Sequence, residues 1–385
     1  MQSTPCEDKA TAPPSHSEIL LQDQSRVNSI RSSIFKSRKP TNAVVDLPAK
    51  PGNSLGSEKY IVTVGLGTPK KDLSLILDTS SSLTWTQCMP CSHSSYSQKE
   101  PTFDPSKSFT YVNVSCKSAA CSLLTSSTER ITLSKYNMFN GFLFGCGHEN
   151  RGLFGQTAGL LGLGRDKMSI VQQTSKIYRR IFSYCLPTPF SGSTGSLTFD
   201  RTPVSSKDIK YTPLSTSTGI NDSFYALDLE GIIVAGAKLS IPSSIFSSPG
   251  TIIDSGTVIT RLPATAYSAS WSAFREGMSG YQTAPALSIL ETCYDLSMYP
   301  SFCFPKISFL FGGGVEVELK FEDIIYVGGN ARQFCLALAG YTDDDEVTIF
   351  GNVQQQSLEV VYDVGGGRIG FWPCCLLSYL TFTAK

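Results

Sequence analysis

The sequence predicts a mostly β protein built from two similar halves. Many short runs of Val, Ile and Phe are punctuated by Gly and Pro, which is typical of strands joined by turns. Two of these runs, residues 73–77 and 251–253, are each followed by Asp and two small residues. This repetition indicates two half-sites that meet across a pseudo-twofold axis. The length of 385 residues suits two domains of ordinary size.

The two repeated motifs carry carboxylates suited to acid–base chemistry. They read Asp78-Thr79-Ser80 and Asp254-Ser255-Gly256. A single Asp at a strand end is most often a turn or cap residue, so the argument depends on the repetition. Two carboxylates held face to face cannot both ionise cheaply, so they share a proton. One then acts as base and the other as acid, as activation of a water against an amide carbonyl requires.

A second repeated feature lies downstream of each Asp. Residues 158–164 follow the first Asp and residues 348–352 follow the second, and in both segments an apolar pair precedes Gly. Glycine allows another backbone to pass close by. We therefore expect each Asp-bearing loop to run past one of these glycines.

One clear helix is predicted over residues 264–277. Tyr267, Trp271 and Phe274 lie at positions i, i+4 and i+7, which places them on one face. We interpret this segment as an amphipathic helix that packs on the core.

These features together resemble the pepsin-like aspartic proteases, most closely their plant nepenthesin-like branch. The resemblance covers nearly all of residues 60–371. Besides the two motifs, it is carried by YIVTVGLGTP at residues 60–69, LTW at 83–85, FGCG at 144–147, FSYCLP at 182–187 and FGNVQQQ at 350–356.

The resemblance implies a bilobal, mostly β pepsin-like fold with a few short helices. It also implies that the chain is an aspartic endopeptidase whose catalytic residues are Asp78 and Asp254 and which needs no metal or organic cofactor. The residues expected to support this dyad are Thr79, Ser81, Ser255, Gly256 and Thr257.

The first motif departs from the family pattern Asp-Thr-Gly-Ser-Asp. Residues 78–82 read Asp-Thr-Ser-Ser-Ser. A Cβ at Ser80 is expected to add bulk near the substrate and to strain a conformation suited to Gly. The Ser80 N–H remains to bond the carboxylate, and Ser81 can still donate to Asp78.

A second departure lies between Cys121 and Glu129. Members of the family carry there a hairpin flap with a Tyr-Gly-Asp segment, whose Tyr closes over the substrate. This chain instead has the short sequence SLLTSST. Tyr136 is the nearest tyrosine, but its neighbours match the region after the flap, so we do not assign it that role. Loss of a lid is expected to raise the reaction barrier.

These departures leave a second function open beside the enzyme. The intact second motif favours a protease, whereas Ser80 and the missing flap favour a catalytically impaired homologue. Such a homologue would act as a binding or inhibitor protein. A third explanation is an aberrant gene model of an active enzyme, which would also account for the unusual C-terminal tail.

Composition argues against several other classes. Lys and Arg number 32 and Asp and Glu also number 32, so nothing favours nucleic acid or an anionic membrane as partner. The three histidines are scattered, which gives little support to a metal site or to Ser-His-Asp chemistry. We expect a monomer that acts on a protein or peptide substrate.

Twelve cysteines indicate an oxidising compartment, and with the family resemblance they favour a secreted, extracellular protein. The resemblance implies bonds from Cys88 to Cys91, from Cys293 to Cys335, and from Cys185 to Cys374 or Cys375. It also implies that Cys116, Cys121 and Cys146 have lost their partners, Cys146 because Ser95 stands where the family has Cys.

The N-terminal part resembles a propeptide, so we expect a zymogen. Residues 17–39 read as a basic amphipathic helix, although a solvated leader is a comparable interpretation. No signal peptide or transmembrane stretch is visible. Pro48, Pro51 and Gly52 are expected to form a linker. The predicted organisation is a leader over residues 1–51, a lobe with Asp78 over 52–200 and a lobe with Asp254 over 201–385.

Overall fold

The computed structural model describes residues 16–17, 20, 45–91, 95–113, 126–152, 154–189, 191–200, 208–216, 220–328 and 332–374. Within these residues the chain consists mainly of strands, and most of the helices are a single turn long. The predicted mostly β class is confirmed. None of the described helices is long and apolar enough to cross a membrane.

The strands are short and fall in both halves of the chain. The first half contains β1 (Val45–Pro51), β2 (Tyr60–Leu66), β3 (Lys71–Asp78), β4 (Trp85–Gln87), β5 (Val112–Asn113), β6 (Ser126–Ser134), β7 (Asn137–Gly147), β8 (Gly159–Gly162), β9 (Ile181–Cys185) and β10 (Gly195–Phe199). The second half contains β11 (Lys210–Pro213), β12 (Ala226–Leu227), β13 (Leu229–Val234), β14 (Ala237–Lys238), β15 (Thr251–Ile253), β16 (Thr260–Leu262), β17 (Thr283–Ala284), β18 (Cys293–Asp295), β19 (Ile307–Phe311), β20 (Val315–Glu318), β21 (Ile325–Val327), β22 (Gln333–Leu336), β23 (Leu338–Gly340), β24 (Thr348–Phe350), β25 (Leu358–Asp363) and β26 (Arg368–Pro373).

The described helices are α1 (Ile170–Gln173), α2 (Ser175–Tyr178), α3 (Ser244–Ser247), α4 (Ala264–Gly277) and α5 (Phe321–Ile324). Short 3-10 turns occur at Gly52–Leu55, Pro105–Lys107 and Val353–Gln355.

The sheet topology repeats between the two halves. In the first half β3 pairs with β8 in parallel, β8 with β4 antiparallel, and β4 with β7 in parallel. In the second half β15, β24, β16 and β23 follow each other with the same three orientations. Each half therefore places one Asp-bearing strand at the same point of the same four-strand unit, and the fold has two lobes.

A large sheet connects the lobes. Its order is β11-β26-β25-β9-β10-β1-β2-β3-β8-β4-β7-β6-β5. Near one end of this sheet, β25 from the second half lies antiparallel beside β9 from the first. Buried side chains from both halves form one hydrophobic cluster against this sheet.

The segment expected to be a linker is part of this sheet. β1 pairs with both β10 and β2, and Pro48 lies opposite Ser196. Its side chains alternate between buried and exposed positions, as in a half-buried strand. The linker prediction is therefore wrong, because Pro48 and Pro51 belong to β1 and Gly52 begins a 3-10 turn. Of the expected helix at 17–39, residues 17 and 20 are described, and Leu20 is buried against Val258 and Ile259. The rest lies outside the described residues.

Helix α4 has the predicted bounds but a rotated buried face. Its buried side chains are Ala266, Ser270 and Phe274, whereas Tyr267 and Trp271 are partly exposed. The small side chains of Ala266 and Ser270 let this face of the helix approach the sheets closely, with Phe274 at its end. The Arg275 guanidinium lies 4.8 Å from the Trp271 ring centroid. The expectation that Trp271 belongs to the core is therefore wrong.

Three disulfides occur among the described residues, and they correct one predicted pairing. Cys185 is bonded to Cys374 and Cys293 to Cys335, as the resemblance implies.

Cys88, however, is bonded to Cys146, with a Cα–Cα distance of 5.4 Å. The reason is the parallel register of β4 and β7, which sets Gln87 opposite Gly147 and so brings Cys88 beside Cys146. Cys91, expected to pair with Cys88, is itself disulfide-bonded elsewhere. The predictions that Cys88 pairs with Cys91 and that Cys146 lacks a partner are wrong. Cys116, Cys121 and Cys375 lie outside the described residues.

Candidate active site

Asp78 is the last residue of β3 and is fully buried. It lies opposite Gly162 of the parallel strand β8, and its carbonyl accepts a bond of 2.8 Å from the Leu163 N–H. The last six residues of β3 are all buried, because neighbouring layers cover both faces of this strand. The apolar run before Asp78 thus fixes where its carboxylate lies.

Asp254 occupies the equivalent position in the second half. It directly follows β15, which is parallel to β24, and its N–H donates to the Phe350 carbonyl at 3.0 Å. Its side chain is likewise fully buried.

The two carboxylates receive the same kinds of hydrogen bond. Asp78 Oδ1 accepts from the N–H groups of Ser80 and Ser81 at 3.1 Å each, and Oδ2 accepts from the Ser81 hydroxyl at 2.8 Å. Asp254 Oδ1 accepts from the Gly256 N–H at 2.8 Å, and Oδ2 from the Thr257 hydroxyl at 2.5 Å. In each half one oxygen is bound by backbone and the other by a hydroxyl, which orients both carboxylates.

Reciprocal hydrogen bonds join the two Asp-bearing loops. The Thr79 N–H donates to the Ser255 hydroxyl at 3.1 Å, and the Ser255 N–H donates to the Thr79 hydroxyl at 2.9 Å, across a sequence separation of 176 residues. The Ser255 hydroxyl also donates to the Leu77 carbonyl at 3.2 Å. These bonds hold the loops against each other, so the predicted site residues of the two halves are brought together.

The predicted close approach at the repeated glycines is present in both halves. A Cβ added to Gly162 would lie 2.5 Å from the Ser82 carbonyl oxygen, and one added to Gly351 would lie 2.8 Å from the Val258 oxygen. Ser82 and Val258 occupy the same position relative to Asp78 and Asp254. The glycines therefore let each Asp-bearing loop pass close to a strand.

Replacing Gly351 with Ala is expected to lower the free energy of unfolding by about 1–3 kcal/mol, because the new methyl group would press on rigid backbone. Urea unfolding of the full chain measures this. The matched control is Gly280→Ala, where a Cβ would meet nothing within 4 Å; its effect should stay within about 0.5 kcal/mol. Equal effects of the two changes would contradict the argument.

Ser80 does not carry the backbone strain expected from its Cβ. Strain would require a left-handed backbone, and Ser80 is not among the described residues that have a positive φ. Its N–H bonds Asp78, and its hydroxyl adds a longer contact of 3.4 Å to the same oxygen. The serine therefore fits the loop, and the prediction of backbone strain at Ser80 is wrong.

The region expected to hold a flap is only partly described. β5 ends at Asn113 and β6 begins at Ser126, while residues 114–125 lie outside the described part of the chain. Tyr136 lies between β6 and β7 and is 83% exposed. It therefore does not cover the dyad in this structure.

Comparison with known proteins bears on the same region. Residues 224–373 match the family model described as xylanase inhibitor C-terminal. The xylanase inhibitor N-terminal model matches in two pieces, residues 60–136 and 125–199. The two pieces overlap over residues 125–136, which include β6.

Several curated plant relatives match over most of the chain. An aspartyl protease family protein of Arabidopsis thaliana is 52% identical in an alignment that covers 95% of this chain and 83% of the relative. The chain belongs to the pepsin-like aspartic proteases of plants. Aspartic proteinase nepenthesin-2 of Nepenthes gracilis is 33% identical and covers 83% of this chain and 78% of its own length.

Solved structures share the fold at low sequence identity. The structure described as edgp has a TM-score of 0.70 and 18% identity and covers 88% of this chain and 96% of its own. Basic 7S globulin from soybean has a TM-score of 0.68 and 20% identity, and the match covers 88% of this chain and 98% of the globulin chain. These likenesses establish the bilobal aspartic protease fold.

Proposed function

We propose that this aspartic protease homologue is an active endopeptidase that hydrolyses peptide bonds in proteins. The observation that carries the proposal is the matched pair of carboxylate sites at Asp78 and Asp254, joined by the reciprocal bonds of Thr79 and Ser255. One proton is shared between the carboxylates. The ionised partner deprotonates a water, and the protonated partner polarises the scissile carbonyl.

The supporting residues have separate tasks in this proposal. Ser81 and Thr257 orient Oδ2 of Asp78 and of Asp254 through their hydroxyls. The Gly256 N–H donates to Asp254 Oδ1 and so holds this carboxylate in place. Thr79 and Ser255 keep the carboxylates in register, which matters because small misplacement of reacting groups costs rate steeply.

A binding or inhibitor role is the second candidate. Two observations favour it: the matched family models are described as xylanase inhibitor domains, and the sequence between Cys121 and Glu129 is short where the family carries a flap. A protein that lacks the lid could retain the cleft and loops for binding while its turnover is impaired.

The remaining proposals follow from the family and the disulfides. Aspartic proteases act on proteins, so the substrate is a protein or peptide, and we propose a monomer that needs no cofactor, nucleic acid or membrane. Three disulfides within the described residues favour folding in the secretory route and an extracellular location. Synthesis as a zymogen with a leader over residues 1–51 belongs to the same proposal.

The deciding experiment measures hydrolysis of a denatured protein by the purified, oxidised full chain as a function of pH. We expect a maximum in acid, because one carboxylate must stay protonated. Pepstatin, a transition-state mimic, should block the activity. A folded, oxidised chain that shows no hydrolysis but binds a xylanase would favour the second candidate.

Replacing Ser80 with Gly is expected to change kcat by less than about threefold, because Ser80 is not strained, and to change the free energy of unfolding by no more than about 1 kcal/mol. Ser80→Ala serves as the control that removes the hydroxyl but keeps the Cβ. Steady-state kinetics on both variants measure the difference. An increase of tenfold or more in Ser80→Gly alone would show that the Cβ hinders substrate.

A further inference from the structure

Three buried tyrosines lie together near the two Asp-bearing loops. Tyr184 is on β9, Tyr362 is on the neighbouring strand β25, and Tyr225 directly precedes β12; each is fully buried. The Tyr362 ring centroid lies 4.6 Å from that of Tyr225 and 5.6 Å from that of Tyr184. We refer to these three residues as the tyrosine cluster. The sequence reasoning assigned them no role, because aromatic residues in strands are most often simple core residues.

Tyr184 is linked to the backbone of Asp254 through one amide side chain. The Tyr184 hydroxyl donates to Gln355 Oε1, and Gln355 Nε2 donates to the Phe350 carbonyl at 2.7 Å. That same carbonyl accepts the N–H of Asp254 at 3.0 Å. Gln355 is fully buried, so water does not compete for these bonds.

The donors in this link can be arranged in one direction only. A carbonyl oxygen only accepts, so the amide nitrogen of Gln355 must face Phe350 and its oxygen must face Tyr184. The Tyr184 proton is then committed to Gln355. In the contact of 2.7 Å between the hydroxyls of Tyr184 and Tyr362, Tyr362 is therefore the donor.

Tyr225 is linked in the same way to the loop of Asp78. Its hydroxyl donates to the Leu163 carbonyl at 2.8 Å, and the Leu163 N–H donates to the Asp78 carbonyl at 2.8 Å. The backbone carbonyl of Tyr225 meanwhile accepts the Ile253 N–H at 3.0 Å, next to Asp254. Tyr225 is thus hydrogen-bonded to β15, which precedes Asp254, and to Leu163, whose N–H binds the Asp78 carbonyl.

The cluster therefore crosses between the two halves of the chain. Tyr184 comes from the first half and supports the Asp254 loop, whereas Tyr225 comes from the second half and supports the Asp78 loop. Tyr362 packs against both rings. We propose that Tyr184, Tyr225 and Tyr362 are positioning residues that couple the two half-sites, in addition to the reciprocal bonds of Thr79 and Ser255. This inference rests on the proposed endopeptidase function.

The protonation of the cluster agrees with a positioning role. Burial raises the pKa of Tyr184, Tyr225 and Tyr362. For Tyr184 and Tyr362 the negative charge of Asp254 raises the pKa further. The hydroxyls thus remain protonated throughout the acid range, as hydrogen-bond donors must.

The test removes single hydroxyls and keeps the rings. Tyr184→Phe and Tyr225→Phe are each expected to lower kcat about five- to tenfold with KM changed less than twofold, since one hydrogen bond that orients a loop is lost in each. The matched control is Tyr178→Phe. Tyr178 is also buried, but its hydroxyl has no hydrogen-bond partner among the described residues, so this change should leave kcat unaltered.

Native-state hydrogen exchange supplies a readout independent of activity. Exchange at the amide of Asp254 should become about fivefold faster in Tyr184→Phe, and exchange at the amide of Leu163 faster by a similar factor in Tyr225→Phe, while Tyr178→Phe matches the wild type. If the wild type does not hydrolyse protein, the proposed function fails, yet faster exchange at these amides would still support the coupling. The inference is overturned if both variants match Tyr178→Phe in exchange, or match it in kcat when the wild type is active.

Discussion

Replacing Asp254 with Asn is expected to abolish hydrolysis of a denatured protein, with a loss of kcat of at least about 10³-fold. An amide can neither take the proton of the attacking water nor share a proton with Asp78. Its oxygen can still accept the bond from the Gly256 N–H, so the loop should keep its structure. Acid proteolysis, followed with a quenched fluorescent peptide, measures the loss.

The control for charge is Asp345→Asn. Asp345 is exposed and far along the chain from both motifs, so the same change there should leave activity unaltered. Proteolysis that persists in Asp254→Asn at the wild-type rate would rule out the shared-proton mechanism and point to a contaminating protease.

The partner variant sharpens this test. Asp78→Asn should cost about as much as Asp254→Asn, and the double variant should cost little more than either, because residues that act as one unit are strongly non-additive. If the loss in the double variant instead equals the product of the two single losses, the carboxylates act independently.

The equivalent placement of Asp78 and Asp254, and of the glycines beside their loops, could be predicted because both features are repeated along the chain. A carboxylate after an apolar strand is ambiguous once, but its recurrence restricts both copies to equivalent places. The paired close contacts at Gly162 and Gly351 follow from the same symmetry. The mostly β fold class was also predictable, since short runs of β-branched and aromatic residues between turn residues are typical of strands.

Contacts that depend on strand register could not be predicted. Cys88 meets Cys146 because β4 and β7 align in parallel, and spacing along the chain contains no information about that alignment. The same limit applies to the tyrosine cluster. Tyr184 and Tyr362 occupy ordinary strand positions, and only the antiparallel pairing of β9 with β25 places their hydroxyls in contact.

Local sequence patterns likewise predict helix α4 and β1 only in part. A helical pattern identifies an apolar stripe, but small residues beside it decide how closely the helix packs, which is why Ser270 is buried and Trp271 is not. In β1, prolines suggested a linker, yet proline is tolerated where its missing N–H is not needed by the neighbouring strand.

Restoring a flap is expected to raise kcat about tenfold or more, because a closing hairpin excludes water and completes the site. The structure favours such a graft. β5 and β6 are antiparallel neighbours, with Asn113 opposite Ser127, so both ends of the intervening segment leave the sheet at one edge. Additional residues there need not disturb the sheet, and the entropic cost of a longer loop grows slowly.

The graft would transfer the corresponding hairpin of nepenthesin-2 between Asn113 and Ser126, with a Gly/Ser-rich insert of equal length as the control. The control has the added length without a side chain that can cover substrate, so it should leave kcat at the value of the present chain. A gain confined to the hairpin graft, and lost again when its Tyr is replaced by Ala, would identify the lid as the limiting feature. If the two inserts give the same kcat while the dyad remains competent to bind pepstatin, the barrier lies in the chemistry between Asp78 and Asp254 and closure of the cleft does not limit turnover.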